Sequence, residues 1–158
     1  MSRKYGVVAV GGTFDHFHRG HKTLLSRCFE IGERVIIGIT SDRFAATLSK
    51  RTQWPYDKRI GALKDFLSAK FAQHRYEIHA LEDYFGPAVV EEDVQAIVVT
   101  KETAPRVEIA NSERLKRGLK PLDTVVIDLV AAQDGRPISS TRIRKGEIDK
   151  EGKVLKRI

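Results

Sequence analysis

Residues 7–21 read VVAVGGTFDHFHRGH, and they carry most of the information about the fold and the chemistry of this chain. The apolar run Val7–Val10 predicts a buried β-strand, which Gly11 and Gly12 bring to an end. A helical pattern begins at about Gly20. Glycines after a strand let the backbone approach a ligand closely, and a helix N-terminus offers free N–H groups with a partial positive charge. The stretch therefore predicts a strand, a turn and a helix start that together bind an anion.

Apolar runs alternate with helical segments along the rest of the chain. Buried-strand patterns occupy residues 7–10, 34–40, 76–81, 96–100 and 124–130. Helical patterns occupy residues 20–32, 60–71 and about 105–117, and a short helix is expected after Ser140. This alternation predicts an α/β fold: a Rossmann-like, doubly wound parallel sheet of five strands with helices on both faces. We expect one domain over residues 1–158, in which residues 145–158 form a charged tail or a surface helix.

Charge and composition narrow the classes of partner. The chain has 158 residues and a net charge of +7, which suits either a nucleic-acid binder or an enzyme that acts on polyphosphates. Its basic residues are scattered from Arg3 to Arg157 without a dense run or interleaved aromatics, so we expect phosphate substrates and no nucleic-acid partner. No apolar run reaches the ~20 residues of a membrane span. The single Cys28 excludes an internal disulfide, and the N-terminus lacks a secretory pattern, so we expect a cytoplasmic protein without a membrane partner.

The histidines His16, His18 and His21 raise the question of a metal site. His18 and His21 are three residues apart, across a glycine, and would project to one side of the turn. A structural zinc usually needs a fourth good ligand, and the sequence has no cysteine cluster or further histidine pair to supply it. Metal ligation, ordinary surface histidines and phosphate contact all stay open from these residues alone.

A second polar segment, Ile138–Arg144 with the sequence ISSTRIR, follows the last predicted strand. Hydroxyl groups and exposed amides at a helix start form an anion-binding nest, to which an arginine one turn later adds charge. An ordinary Ser/Thr helix cap would have the same appearance. Taken together, GTFD at residues 12–15, HRGH at residues 18–21 and this segment resemble the two motifs of the nucleotidyltransferase superfamily.

Within that superfamily, the chain most resembles the phosphopantetheine adenylyltransferases of archaea and of the eukaryotic bifunctional coenzyme A synthase. The resemblance extends over nearly the whole chain. It rests on residues 11–21, Ser41-Asp42, Lys50, residues 98–103 (VVTKET) and Asn111 with the basic residues behind it. The bacterial enzymes carry a Gly-Leu-Arg segment after the fourth strand that this sequence lacks, so the residues that hold the acceptor phosphate stay open.

The resemblance implies direct, in-line transfer of the adenylyl group of ATP to 4′-phosphopantetheine, which gives dephospho-coenzyme A and pyrophosphate. Catalysis of this kind consists mostly of positioning and charge stabilisation. The expected catalytic residues are His21 and His18, which contact the triphosphate, and Lys50, which bridges the attacking and transferred groups. Asp15 would have a structural role and accept backbone N–H bonds in the turn. Mg²⁺ would be held by phosphate oxygens and water, without protein ligands.

The same resemblance assigns further residues to the two substrates. The phosphates of ATP are expected to contact Gly12, Thr13, Phe14, His18, His21, Ser139, Ser140, Thr141 and Arg144. The candidates for binding the acceptor are Thr13, Lys50, Lys101 and Arg106.

Two other kinds of function fit parts of this pattern. Glycerol-phosphate cytidylyltransferases and the adenylyltransferases of nicotinamide mononucleotide (NMN) and FMN have overlapping motifs. A non-catalytic nucleotide- or nucleic-acid-binding module would use the same fold, although the intact HRGH and ISSTRIR segments argue against lost catalysis.

Overall fold

The computed structural model describes residues 3–48 and 52–155. Within these residues the strands are β1 (Tyr5–Gly12), β2 (Gly32–Thr40), β3 (Arg75–Leu81), β4 (Ala96–Thr100) and β5 (Asp123–Ile127). The helices are α1 (Arg19–Ile31), α2 (Asp42–Thr47), α3 (Tyr56–Lys70), α4 (Pro87–Val90), α5 (Val107–Lys116) and α6 (Ser140–Arg144), with a 3-10 turn at Ala104–Arg106. None of the helices in this part of the chain is long and apolar enough to cross a membrane.

The strands form one parallel sheet in the order β3-β2-β1-β4-β5. β1 is central: its Val8 pairs with Val35 of β2 on one side and with Ala96 of β4 on the other. The chain first moves outward to β3 and then returns past β1 to β4, so the strand order reverses between β1 and β4. At such a reversal the loops leave the two strands in opposite directions and open a crevice. The predicted α/β class and Rossmann-like topology are confirmed.

Both faces of the sheet are covered, which explains the continuous apolar runs of the strands. On one face Val8 and Val35 belong to a core shared with α1 and α3. On the other face Ala9 and Ile36 pack with residues of α4 and α5. Full burial of an aliphatic side chain of this size contributes about 1.5–3 kcal/mol to stability, so the two cores fix the sheet from which the loops extend.

Cys28 is a core residue of α1. It is fully buried, and its thiol donates a hydrogen bond to the Leu24 carbonyl at 3.2 Å. Burial raises the pKa of this thiol. Because the thiolate is the reactive form of cysteine, a buried and protonated Cys28 is a poor nucleophile.

Residues 145–155 are neither a fraying tail nor a surface helix, and the expectation for this segment was wrong. They form turns closed by a β-bridge between Ile148 and Val154. Ile148 is 1% exposed and packs with Ile138 in a small third core. Gly152 has a φ of 85°, and a Cβ there would lie 2.8 Å from Cδ1 of Ile138, so a glycine is required. The many charged residues around Ile148 predict an exposed segment, so the burial of this one apolar side chain could not be predicted.

β5 ends at Ile127, before the predicted end at Val130. The Val130 side chain packs against the third core, and its carbonyl accepts the N–H of Ile138 at 2.8 Å. The apolar run therefore continues past the end of the strand, because Val130 packs against the small third core and not in the sheet.

Candidate active site

The loop between β1 and α1 is held in an unusual conformation. Phe14 and His16 have φ angles of 54° and 47°, a region that non-glycine residues rarely occupy. Phe14 is 1% exposed, and its ring centroid lies 5.2 Å from that of His21. Strain of this kind, about 1–3 kcal/mol for each residue, persists where the surroundings enforce it and concentrates at functional sites.

Side chains from distant segments hold the carbonyl groups of this loop. Thr40 Oγ1, at the end of β2, donates to the carbonyl of Gly12 at 3.2 Å. Ser140 Oγ, at the start of α6, donates to the carbonyl of Asp15 at 2.5 Å. The second of these bonds joins the two sequence motifs directly and fixes the distance between them.

The Asp15 carboxylate has a structural role, with partners in a different loop from the one expected. Its two oxygens accept the backbone N–H groups of Gln53 at 2.9 Å and Trp54 at 3.0 Å. With the side chain 4% exposed, the negative charge is satisfied within the protein. Asp15 thereby anchors the loop that precedes α3. The predicted catalytic Lys50 lies outside the described residues.

His18 and His21 form the start of α1 and stack on each other, with their ring centroids 3.7 Å apart. The Gly20 N–H donates to Nδ1 of His18 at 3.0 Å, and the His18 N–H donates to Nδ1 of His21 at 3.1 Å. These bonds cap the helix reciprocally. Because Nδ1 of each ring is an acceptor, the proton of each neutral imidazole is assigned to Nε2. Each histidine therefore offers one N–H donor on the side of the ring opposite the cap.

Both imidazoles are neutral at pH 7. Burial, with a smaller contribution from His16, lowers the pKa of His18 from 6.5 to about 4. Burial and the neighbouring His18 lower the pKa of His21 well below its ordinary value. Neither ring is that of an ordinary surface histidine, because His18 is 6% exposed and His21 is half-buried. A metal bound at Nε2 would force the proton onto Nδ1 and break the cap, so these rings suit a phosphate oxygen better.

The depressed pKa of His18 predicts acid sensitivity of the fold. Above pH 6.5 His18 is neutral in both the folded and unfolded chain and has no effect. Between pH 6.5 and about 4, the unfolded chain takes up a proton and the folded chain does not, so the free energy of unfolding falls as the pH falls. His18 should account for about 2–3 kcal/mol of this loss by linkage. His18→Asn keeps a good helix cap and should flatten the decline between pH 7 and pH 4.5 in urea unfolding followed by circular dichroism. Equal slopes for variant and parent would contradict the assignment.

The second motif contains the N-cap and all of α6. Some of its residues stabilise this helix, and others line a cavity between the two motifs. Ser139 caps α6 by accepting the N–H of Arg142 at 3.2 Å. The Arg142 guanidinium pairs with Asp134, and chiefly this hydrogen bond lowers the pKa of Asp134 to about 2. Ser139 and Arg142 therefore hold the helix in place, while Thr141 and Arg144 line the cavity.

A cavity of about 450 Å³ opens between the two motifs, at the carboxyl ends of β1 and β4. We call it the phosphate cavity. The predicted residues that line it are Thr13, Phe14, His18, His21, Ser140, Thr141 and Arg144. The residues missed by sequence reasoning are Thr52, Thr100, Glu102 and Leu129. Thr100 carried a usable signal, since it ends a buried strand, where ligand-contacting residues of parallel sheets are found.

A second cavity of about 180 Å³ adjoins the first on the side of β2 and β3, and we call it the side cavity. Thr13 lines both cavities. The walls of the side cavity are partly apolar, and the Arg106 guanidinium lies 4.3 Å above the ring of Tyr84. The predicted Gly12 and Arg106 line this cavity. Lys101 lines neither cavity: it is 75% exposed and pairs with Asp128 at 3.8 Å.

A larger cavity, of about 780 Å³, opens at the amino ends of the strands around Tyr5 and Lys120. No residue of either motif lines it. The phosphate cavity, although smaller, gathers imidazole N–H donors at the start of α1 with hydroxyl groups and a guanidinium, the last of these from the end of α6. Groups of this kind bind polyphosphates and stabilise charge on them.

Comparison with known proteins agrees with this chemistry. A family model described as cytidylyltransferase-like matches residues 9–146. Among solved structures, an Archaeoglobus fulgidus protein described as having unknown function is 29% identical, with a TM-score of 0.69 over 84% of this chain and 98% of that one. A bifunctional NMN adenylyltransferase/ADP ribose pyrophosphatase of Francisella tularensis is 17% identical, with a TM-score of 0.61 over 89% of this chain and 41% of that one. The latter likeness concerns the fold.

Two relatives from archaea are similar over more than nine tenths of their length. The phosphopantetheine adenylyltransferase of Methanothermobacter thermautotrophicus is 49% identical over all of this chain and 94% of its own. The phosphopantetheine adenylyltransferase of Methanopyrus kandleri is 44% identical over 92% of both chains. The chain therefore belongs to the cytidylyltransferase-like family of nucleotidyltransferases and, within it, to the phosphopantetheine adenylyltransferases.

Proposed function

We propose that this enzyme transfers the adenylyl group of ATP to 4′-phosphopantetheine, with release of pyrophosphate. The observation that carries the proposal is the meeting of the two cavities at Thr13. One cavity offers donors for a triphosphate, and the other offers partly apolar walls with one arginine. A phosphate bound at their junction would belong to an acceptor that extends into the side cavity.

The reaction we propose is a single displacement at the α-phosphorus of ATP. An oxygen of the acceptor phosphate forms a bond to this phosphorus as the bond to the bridging oxygen of the β-phosphate breaks. Pyrophosphate leaves with the electron pair, and no covalent enzyme intermediate forms. The protein supplies positioning and stabilises negative charge on the transferring group.

The phosphate cavity supports distinct roles for its residues. We assign the Nε2–H donors of His18 and His21 to the triphosphate, with His21 stabilising the transferring group, because both rings are neutral donors held by the cap. Thr141 and Arg144 would bind the β- and γ-phosphates. Ser140 uses its one hydroxyl proton to hold the carbonyl of Asp15, so its contact with phosphate would come from its backbone N–H at the start of α6. The bridging role of Lys50 stays a proposal from the resemblance.

The side cavity supports an acceptor with an extended, largely apolar arm. Its walls include Phe44, Leu48 and Leu81, which suit the alkyl and amide groups of pantetheine. Arg106 supplies positive charge in the same cavity. Between the two predicted cations that follow β4, Arg106 is therefore the better candidate for the acceptor, and Lys101 would act at most at a distance.

We propose that Mg²⁺ enters with ATP, held by phosphate oxygens and water. The described residues offer no group of three His, Cys, Asp or Glu side chains suited to a metal. Asp15, in the first motif, uses both carboxylate oxygens to accept N–H bonds from Gln53 and Trp54. When bound, the ion would neutralise part of the phosphate charge, and the donors of the cavity would complete this neutralisation.

A pyrophosphate-release assay tests the substrate pair. ATP with 4′-phosphopantetheine should release pyrophosphate, whereas CTP with glycerol phosphate should not. ATP with NMN or with FMN serves as the matched comparison, because those acceptors need a cavity for a ring system. Cytidylyl transfer that is faster by about tenfold, equivalent to 1.4 kcal/mol in the barrier, would refute the assignment of substrates. A salt-dependent mobility shift with random oligonucleotides would favour the alternative of a nucleic-acid-binding module.

A further inference from the structure

Arg59, in the first turn of α3, is fully buried, and it reaches three separate segments of the chain. Its guanidinium donates to the carbonyls of Thr13 at 2.9 Å, Thr40 at 2.7 Å and Trp54 at 3.0 Å. A fourth bond, at 2.8 Å, goes to the carboxylate of Asp42, whose side chain is 56% exposed. An arginine buried to this degree is rare unless it is paired. Here three of its four partners are backbone carbonyls, two at the ends of β1 and β2 and one just before α3.

The bond to Thr13 fixes the orientation of one peptide group at the edge of the phosphate cavity. In a trans peptide the C=O and N–H groups point in opposite directions. Because the Thr13 carbonyl points to the buried guanidinium, the N–H of Phe14 points away from it. No hydrogen-bond acceptor within residues 3–48 and 52–155 is assigned to this N–H. Phe14 is a wall residue of the phosphate cavity, so a ligand in that cavity would lie next to this peptide group.

We infer that Arg59 is a positioning residue, which orients the Thr13–Phe14 peptide so that the Phe14 N–H meets the phosphate that is transferred. The inference rests on the proposed function for the identity of that phosphate. Without the guanidinium, the carbonyls of Thr13 and Thr40 lose a buried donor, and an unsatisfied buried carbonyl is unfavourable. Phe14 is already strained at a φ of 54°. The peptide would then relax by rotating, and the N–H donor would leave the cavity.

Lysine cannot fully replace Arg59 in this role. The guanidinium is a planar fork with five N–H donors, and it holds its partners in fixed directions. A lysine ammonium carries three donors on a flexible stem. It can satisfy the Thr13 carbonyl but not all of the segments that Arg59 joins. Arg59→Lys should therefore recover part of the function.

Arg114 of α5 is a matched control within the same chain. It is 1% exposed and donates to the carbonyls of Ala88, Glu91, Val94 and Lys120 at 2.7–3.2 Å. It lines neither the phosphate cavity nor the side cavity. Removal of Arg114 thus removes the same kind of buried hydrogen-bond hub without touching the loop after β1.

The kinetic test compares Arg59→Met, Arg59→Lys and Arg114→Met at a temperature where circular dichroism shows each variant folded. Both methionine variants should lose thermal stability. Only Arg59→Met should lose turnover, by about 10–100-fold, as expected for loss of one preorganised donor, with the KM for ATP changed by less than about threefold. Arg59→Lys should fall between Arg59→Met and the parent. Equal turnover in Arg59→Met and Arg114→Met would overturn the inference.

A binding measurement separates this inference from the proposed function. The amide resonance of Phe14 in ¹⁵N-labelled protein should shift on titration with α,β-methylene-ATP, which cannot transfer its adenylyl group. The shift should persist in Arg114→Met and be lost in Arg59→Met. If Arg59→Met does not fold, Arg59→Lys should show a reduced shift. An unchanged Phe14 shift in either Arg59 variant would overturn the positioning role. A parent that releases no pyrophosphate would refute the proposed function, and the amide titration would still decide the role of Arg59.

Discussion

His21→Ala should lower the turnover number by about 10²–10³, the range for loss of one preorganised donor to a developing charge. The Nε2–H of His21 is held by the bond from the His18 N–H to Nδ1, so it can strengthen its contact as charge develops without reorganising. The KM for ATP should change far less, because this contact is stronger in the transition state than in the ground state. Steady-state kinetics with ATP and 4′-phosphopantetheine provide the measurement.

The same substitution removes half of the helix cap, so its effect on stability needs a control. His21→Ala should lower the free energy of unfolding by about 0.5–2 kcal/mol, the usual range for a lost cap. Glutamine at this helix position completes a capping box, so His21→Gln should restore the stability and not the turnover. Normal turnover with a raised KM for His21→Ala would mean that His21 binds ground-state ATP. Full activity in His21→Gln would show that the imidazole is needed only as a cap.

Arg144→Ala should raise the KM for ATP by about 10–100-fold and lower the turnover number much less. Hydrogen bonds to charged groups contribute about 1.5–3 kcal/mol, and each 1.4 kcal/mol is a factor of ten in affinity. Arg144 lines the cavity beside Thr141, where we place the phosphates that leave as pyrophosphate. These phosphates are bound before and during the transfer alike, so the lost contact should appear in binding rather than in turnover.

Arg136→Ala separates a specific contact from a change in net charge. Arg136 has a side chain that is 67% exposed and pairs with Asp134, and it lies outside both cavities. The variant carries the same charge as Arg144→Ala and should keep the KM for ATP within about twofold, since exposed charges are screened by salt. Similar increases for both variants would mean that the general field, and not Arg144, binds the triphosphate.

The sheet could be predicted because its strands are buried on both faces. RVIIGIT at 34–40 and AIVVT at 96–100 have no polar face, and they lie between segments of helical period, a pattern typical of parallel sheets. Helices α2 and α4 were missed because their six and four residues are too few to show a period. The predicted strand boundaries were wrong where an apolar residue such as Val130 packs against another core.

The candidate site could be predicted in its location and in most of its residue types. The motif after β1 and the motif at α6 lie at strand ends that the fold brings to one edge of the sheet. Which hydroxyl faces the cavity could not be predicted, because Ser139, Ser140 and Thr141 are chemically alike. Only the path of the helix start makes Ser139 the cap and turns Thr141 toward the cavity.

The helical period of α3 indicated that Arg59 is buried, but its residue type argued against burial. Arg59 precedes the buried Leu63 by one helical turn, so the period of α3 places both on one face. Arginine is seldom fully buried, and the sequence therefore favoured Ile60 as the first core residue of this helix. The partners of Arg59 come from three segments that are brought together only by the tertiary structure. Burial of His18 and His21 was missed for a related reason, since glycine and aspartate around them predict a solvated turn.

The bond between Ser140 and Asp15 joins residues that are 125 positions apart. Contacts of such long range form late, because the chain between them must be ordered first. α6 follows β4 and β5 along the chain, so nothing from α6 holds the loop that contains Phe14 until both strands have been synthesised. During synthesis on the ribosome, the first motif therefore emerges long before the cavity exists. A chain truncated before Ile138 lacks Ser140, Thr141 and Arg144, so the phosphate cavity is complete only when the second motif arrives.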